Sequence, residues 1–234
     1  MHAAIIWKRL GTVLAAAMFV STLAMAVDKP FNGKDLEGWK AKGKDMGGWT
    51  VGTAKLDPDN PKKLIVSKEG DELINAKAGG VDLYSTFRHG DAIIKIEVMV
   101  PKGSNSGIYV QGAYEIQVLD SYGRDKNPGP GDMGGIYGAA APKNPKYKKP
   151  GEWQSFEIHF QAPKFDADGK KTANAKFLKV LLNGDVIHEN IEVKGVTGGS
   201  FDGKETAMGP ILFQGNHGAV AYRNLTVEPL TAEK

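Results

Sequence analysis

Cysteine is absent from all 234 residues. That excludes disulfides, thiolate metal sites, a cysteine nucleophile and lipid attachment through cysteine. An excess of one charge is also missing: 30 Lys and Arg stand against 27 Asp and Glu, a formal net charge of +3. A chain this near neutrality has no electrostatic footprint for nucleic acid. No His-x-x-x-His pair, Gly-rich phosphate loop or Gly-x-Ser-x-Gly elbow occurs, so the common zinc, nucleotide and serine-hydrolase signatures are out. No long stretch carries helical period with caps. Beyond the N-terminus, no apolar run is long enough to cross a bilayer.

The N-terminus differs from the rest. Lys8 and Arg9 precede an uncharged apolar run from Leu10 to Leu23, which ends in Ala24-Met25-Ala26. This layout predicts a secretory signal peptide over 1–26, too short for a comfortable span. The mature chain then begins at Val27, keeps no stable membrane span, and is periplasmic or secreted. Removing Lys8 and Arg9 takes the net charge from +3 to +1.

What the chain has in quantity is glycine, 30 residues, with 12 prolines. Many turns imply many short strands. Apolar residues recur with period two at Ile94, Ile96, Val98 and Val100, at Phe156, Ile158 and Phe160, and at Leu225 and Val227. Such alternation puts one face of each strand on a core. Further strands are expected near 49–53, 63–67, 81–87, 105–111, 113–120, 175–182, 186–191 and 210–214. Asn183-Gly184 between two apolar runs is a strong hairpin signal. Two longer loops, roughly 121–151 and 192–209, are of a length that is usually functional or mobile. These features predict one all-β domain over 27–234, a two-sheet antiparallel sandwich of jelly-roll type.

The segment from Asn105 to Asp120 is chemically the richest. Read as strands, it sends Tyr114, Ile116 and Val118 to the core and Glu115 and Gln117 to the other face. Asn105, Tyr109 and Gln111 from the preceding strand join that polar face. A carboxylate, amides and aromatic rings together suit a sugar, which offers hydroxyls and apolar C–H faces. Periodicity alone favours a solvated sheet face. A second cluster runs from Gln214 through His217 to Arg223, where His217 is either a general base or acid or an exposed turn histidine. Asp166-Ala167-Asp168-Gly169 lacks the later acidic ligand of a calcium loop and reads as a hairpin. The Lys143, Lys146, Lys148, Lys149 run reads as a solvated loop.

Several ordered motifs resemble one family. Phe31-Asn32-Gly33-Lys34-Asp35-Leu36-Glu37-Gly38-Trp39 opens the mature chain. Asn105-Ser106-Gly107-Ile108-Tyr109, Tyr114-Glu115-x-Gln117-Val118-Leu119-Asp120, Gly135-Ile136-Tyr137-Gly138, Gly151-Glu152-Trp153, Leu182-Asn183-Gly184, and Gln214 through His217-Gly218 to Arg223-Asn224 follow in order. Together they resemble the 3-keto-disaccharide hydrolase domain family over essentially all of 30–230. Gln154 stands where Asn often follows the Trp, and Asn216 where an acidic residue often precedes the His. The resemblance implies a concanavalin A-like jelly-roll and an exported bacterial protein acting on oxidised glycosides or disaccharides. The sequence shows no evident cofactor site and leaves assistance by a divalent metal open.

A ketone at C3 acidifies the hydrogen at C2, so a base can remove it and expel the C1 aglycone. Water can then add back to give net hydrolysis. This route needs a base, an enolate stabiliser and an acid. On this reading His217 or Glu115 shuttles the proton and Asp120 is acid or orienter. Asn105, Tyr109, Gln117, Tyr137, Gln214 and Arg223 bind substrate. Two other readings stand beside it: a non-catalytic, lectin-like carbohydrate-binding module, and a structural domain of the envelope.

Overall fold

The structure, a computed structural model, describes residues 26–230. Residues 1–25 of the expected signal peptide lie outside the described residues. Among the described residues there is no helix. The strands are β1 (Trp39–Ala41), β2 (Trp49–Leu56), β3 (Leu64–Asn75), β4 (Leu83–His89), β5 (Ala92–Met99), β6 (Asn105–Val110) and β7 (Tyr114–Leu119). They continue with β8 (Gln154–Gln161), β9 (Lys164–Phe165), β10 (Lys171–Ala173), β11 (Ala175–Leu182), β12 (Asp185–Val193), β13 (Gly209–Phe213) and β14 (Val220–Pro229).

Two antiparallel sheets form a jelly-roll sandwich, ordered β1-β4-β13-β6-β7 and β12-β11-β8-β5-β14-β3-β2. The period-two residues make its interior: Ile94, Ile96, Val98, Phe156, Ile158 and Phe160 face Ile108, Ile116 and Phe213 and are buried. Each such side chain contributes about 1.5–3 kcal/mol by leaving water. An aromatic column crosses the core near one end. Trp39 stacks on Phe213 at 5.3 Å, Phe213 on Tyr222 at 4.1 Å, and Tyr222 on Trp49 at 6.3 Å. The N-terminal motif serves this column. The Asn32 carboxamide oxygen accepts from the Lys34 and Asp35 amides, Asp35 accepts from Glu37, and the Trp39 indole donates to the Pro30 carbonyl.

The Asn183-Gly184 hairpin is present, with φ of 55° and 87° at its two turn residues. Both positive angles are what a primed two-residue turn requires. Two expectations change. The strand expected at 63–67 continues to Asn75, because β3 pairs with β2 across a register shift at Gly52/Thr53 that carries it through the polar stretch Ser67–Asp71. Gln111 does not lie on the strand face: it has left β6 with φ of 55°, and its side-chain amide donates to the His89 and Ala207 carbonyls.

The loop between β7 and β8 folds back along the outer edge of β7. The Gln117 amide donates to the Gly135 carbonyl, Gly134 donates to Gln117, and Tyr137 donates to the Glu115 carbonyl. This covers an edge that would otherwise expose unpaired backbone groups. It also sets Tyr137 over the polar face of the five-stranded sheet. The loop between β12 and β13 closes the same face from another side. The Thr197 amide donates to the Ala113 carbonyl, and the Thr197 hydroxyl accepts from the Glu115 amide at 2.9 Å.

Candidate active site

The polar face of the five-stranded sheet, roofed by those two loops, encloses a groove of about 240 Å3. That is somewhat below the roughly 300–1,000 Å3 of drug-sized pockets and suits a single ring. β6 supplies Asn105 and Tyr109, and β7 supplies Glu115 and Gln117, with Tyr109 opposite Glu115 in register. Gln214, just after β13, and His217 close one end, and Tyr137 and the Gly198-Gly199 turn form the roof. Larger hollows exist, including one of about 390 Å3 on the outer face of the seven-stranded sheet, but that one is lined by surface side chains such as Lys95, Glu157 and Asn224.

Glu115 is the centre of the groove. Its side chain lies across Gly107, where a Cβ would come within 3.0 Å of the Glu115 Cδ. Glycine at 107 therefore makes room for the carboxyl. Glu115 is 3% exposed. Burial raises its carboxyl from 4.5 to about 7, and the charge of Asp82 pushes the same way. The Tyr109 hydroxyl, which donates to the Gly198 carbonyl at 2.9 Å, also faces the carboxyl and opposes the rise. The Tyr109 phenol is itself pushed up, first by burial and then by Glu115, so it stays a neutral donor. A carboxyl poised near neutrality is suited to take and return a proton.

The amides are ordered beside it. Gln117 Nε2 donates to Asn105 Oδ1 at 2.6 Å. That bond orients both side chains and leaves the Asn105 Nδ2 donor for a ligand oxygen. Gln214 Oε1 is buried with no partner among the described residues, so it offers an acceptor to a ligand hydroxyl.

The loop carrying His217 is held from several directions. Asn75 Nδ2 donates to the Gly215 carbonyl at 2.7 Å, and the Gly215 amide donates to Asp82. Ser104 and Ser106 hydroxyls donate to the Ala219 and Gln214 carbonyls, both at 2.6 Å. His217 Nδ1 contacts the Asn216 carboxamide oxygen. His217 is exposed at the mouth of the groove.

Two expected site residues are elsewhere. Arg223 follows the core-facing Tyr222 on β14, so alternation sends it to the outer face of the seven-stranded sheet. There it donates to Glu97 at 2.7 Å and lies 4.1 Å over the Trp153 ring. Asp120 lies past the end of β7 and does not line the groove. Its carboxylate accepts from the Gly103 and Tyr122 amides at 2.8 and 3.3 Å, fixing a turn. Asp82 was not expected. It stands just before Tyr84, whose partner in β13 pairs in turn with Tyr109, and this puts Asp82 on the Glu115 face. Among the described residues, no three His, Asp or Glu side chains converge as a metal site.

The sequence pattern of the 3-keto-alpha-glucoside-1,2-lyase-like domain matches residues 27–228. A solved protein of Parabacteroides distasonis, provisionally described as a glycosyl hydrolase, is 27% identical with a TM-score of 0.68, over 87% of this chain and 84% of its own. A second protein of that organism with the same description shares the fold: 18% identity and a TM-score of 0.59, over 88% of this chain and 94% of its own. No protein with a curated description matches. The family pattern spans nearly the whole described chain and all of the groove, and the chain belongs to the 3-keto-alpha-glucoside-1,2-lyase-like family of carbohydrate-active domains.

Proposed function

We propose that the protein cleaves the glycosidic bond of 3-keto-glycosides by elimination, with Glu115 as the base. One observation carries the proposal: a single carboxyl, buried over Gly107, sits where two ordered amides and a histidine converge. Glu115 is the one carboxylate among the described residues that line the groove. Ordinary glycosidases use two, flanking the scissile bond. Elimination needs only one, because the ketone makes the C2 hydrogen acidic.

In the proposed sequence the Glu115 carboxylate takes the C2 proton and the electron pair moves onto the C3 oxygen. Asn105 Nδ2 is the donor available to that oxygen. The C1–O bond then breaks, and His217, at the mouth, gives a proton to the departing oxygen. The products are an unsaturated keto-sugar and a free alcohol. Addition of water at C1, with the proton that the water gives up restoring His217 and return of a proton to C2 from Glu115, completes net hydrolysis. Expected export would place this activity in the periplasm or outside the cell.

The test is aglycone release by purified protein from a chromogenic 3-keto-glucoside and from the unoxidised glucoside. Release is expected from the ketone at a rate far above that from the glucoside. Equal rates would remove the elimination mechanism. Binding of both without release would favour a lectin-like module.

A further inference from the structure

His217 lines a second hollow as well as the groove. This neighbouring basin measures about 620 Å3 and is walled by Lys62, Lys63, Lys77 and Lys102. No carboxylate lines it. Among the described residues none of the four lysine ammoniums is in an ion pair, although lysines elsewhere are, such as Lys146 with Asp185 at 3.0 Å and Lys164 with Asp91 at 2.7 Å. Two carboxylates on adjoining turns are engaged with backbone: Asp57 accepts from the Asp59 and Asn60 amides, and Asp120 from the Gly103 and Tyr122 amides.

The four lysines come from three segments that the backbone ties together. The Lys102 amide donates to the Pro61 carbonyl at 2.7 Å, joining the β5–β6 turn to the β2–β3 hairpin. The Gly79 amide donates to the Asn216 carbonyl at 3.2 Å, joining the stretch after β3 to the His217 loop. The Ser104 hydroxyl holds Ala219 from below. Positive charge is thus gathered on a braced frame, beside the residue at which the aglycone is expected to leave.

We propose that the basin is the aglycone subsite and that it selects glycosides whose aglycone carries an anionic group such as a carboxylate. This rests on the elimination reading for which half of the substrate lies on which side of His217. The ring fills the small groove over Glu115, and the larger, basic basin takes the departing half. Exposed charge pairs are individually weak, but several cations around one anion act together, and their effect falls with salt.

Calorimetric titration of the full protein with 4-carboxyphenyl glucoside and with its neutral 4-carbamoylphenyl counterpart tests this without requiring turnover. The charged glycoside is expected to bind about tenfold tighter at low salt. The preference is expected to shrink at about 0.5 M salt and to fall toward one in a Lys77→Gln/Lys102→Gln variant. Equal binding of the two, no binding of either, or a preference that survives the double variant overturns the proposal. Binding of 4-hydroxybenzoate alone as tightly as the charged glycoside overturns it too, by marking an anion site independent of the sugar. A preference for the charged glycoside with no aglycone release from its 3-keto form would keep the basin and remove the reaction. Release without preference would do the reverse.

Discussion

Glu115→Gln is expected to lower turnover of a 3-keto-glucoside by about 10²–10⁴-fold, the usual loss for a positioned general base. Glutamine keeps the shape of the side chain over Gly107 and cannot take the proton. Wild-type kcat/KM is expected to rise with pH through about 7, where the Glu115 carboxyl loses its proton, and the variant is expected to lose that limb. Stability moves the opposite way. The folded protein holds the Glu115 proton up to about 7, whereas an ordinary carboxyl gives it up near 4.5. Between those values the folded state binds more protons, so raising the pH across that window destabilises the wild type. Above pH 7 the cost is complete, and Gln removes it. The variant is expected to be more stable than wild type by about 1–3 kcal/mol above pH 7 and to match it below 4.5. A thermal melt at pH 8 beside a turnover assay reads both. Near-normal turnover with an unchanged pH profile would make His217 the leading base.

Gly107→Ala is expected to be nearly as damaging, for a purely steric reason. Gly107 does not carry a positive φ, so its backbone accepts alanine. The added methyl would meet the carboxyl of Glu115 itself, with the Cδ 3.0 Å away. The carboxyl must shift, and a misplacement of about 1 Å can cost about 10²-fold in rate. Crowding in the sheet is expected to cost a further ~1–3 kcal/mol of stability. The measurement is kcat for the 3-keto-glucoside in protein shown by its melt to be folded. Wild-type kcat in a folded variant would mean that the carboxyl position over residue 107 has no bearing on the chemistry.

The architecture was legible where alternation was long. Ile94–Val100, Phe156–Phe160 and Leu225–Val227 each show which side faces the core, and Asn183-Gly184 marks its own turn. β1, β9 and β10, with three, two and three residues, are too short to display a period. At the site, alternation along β7 separates Glu115 and Gln117 from Tyr114, Ile116 and Val118, and the structure places them on opposite faces. Alternation does not say which sheet a strand joins. Arg223 follows Gln214 closely in sequence, yet β13 and β14 belong to different sheets, and the arginine ends on the far side of the molecule. Asp82 was invisible for the complementary reason: its neighbourhood to Glu115 depends on the order β4-β13-β6-β7, which no local pattern encodes. Tyr137 reaches the groove through backbone bonds between its loop and β7, and such bonds carry no side-chain signature.

The most direct test of proton abstraction by Glu115 uses a 3-keto-glucoside deuterated at C2, incubated with the protein and analysed by mass spectrometry against an enzyme-free control. Elimination must break the C2 bond to deuterium before the aglycone leaves. Aglycone release is then expected to be slower than from the undeuterated sugar, and to be accompanied by deuterium loss to water to the extent that the Glu115 carboxyl exchanges before it returns a proton to C2, with this loss far above the control and strongly reduced in Glu115→Gln. Aglycone release with the deuterium retained at C2 and with no slowing by the label would contradict the mechanism.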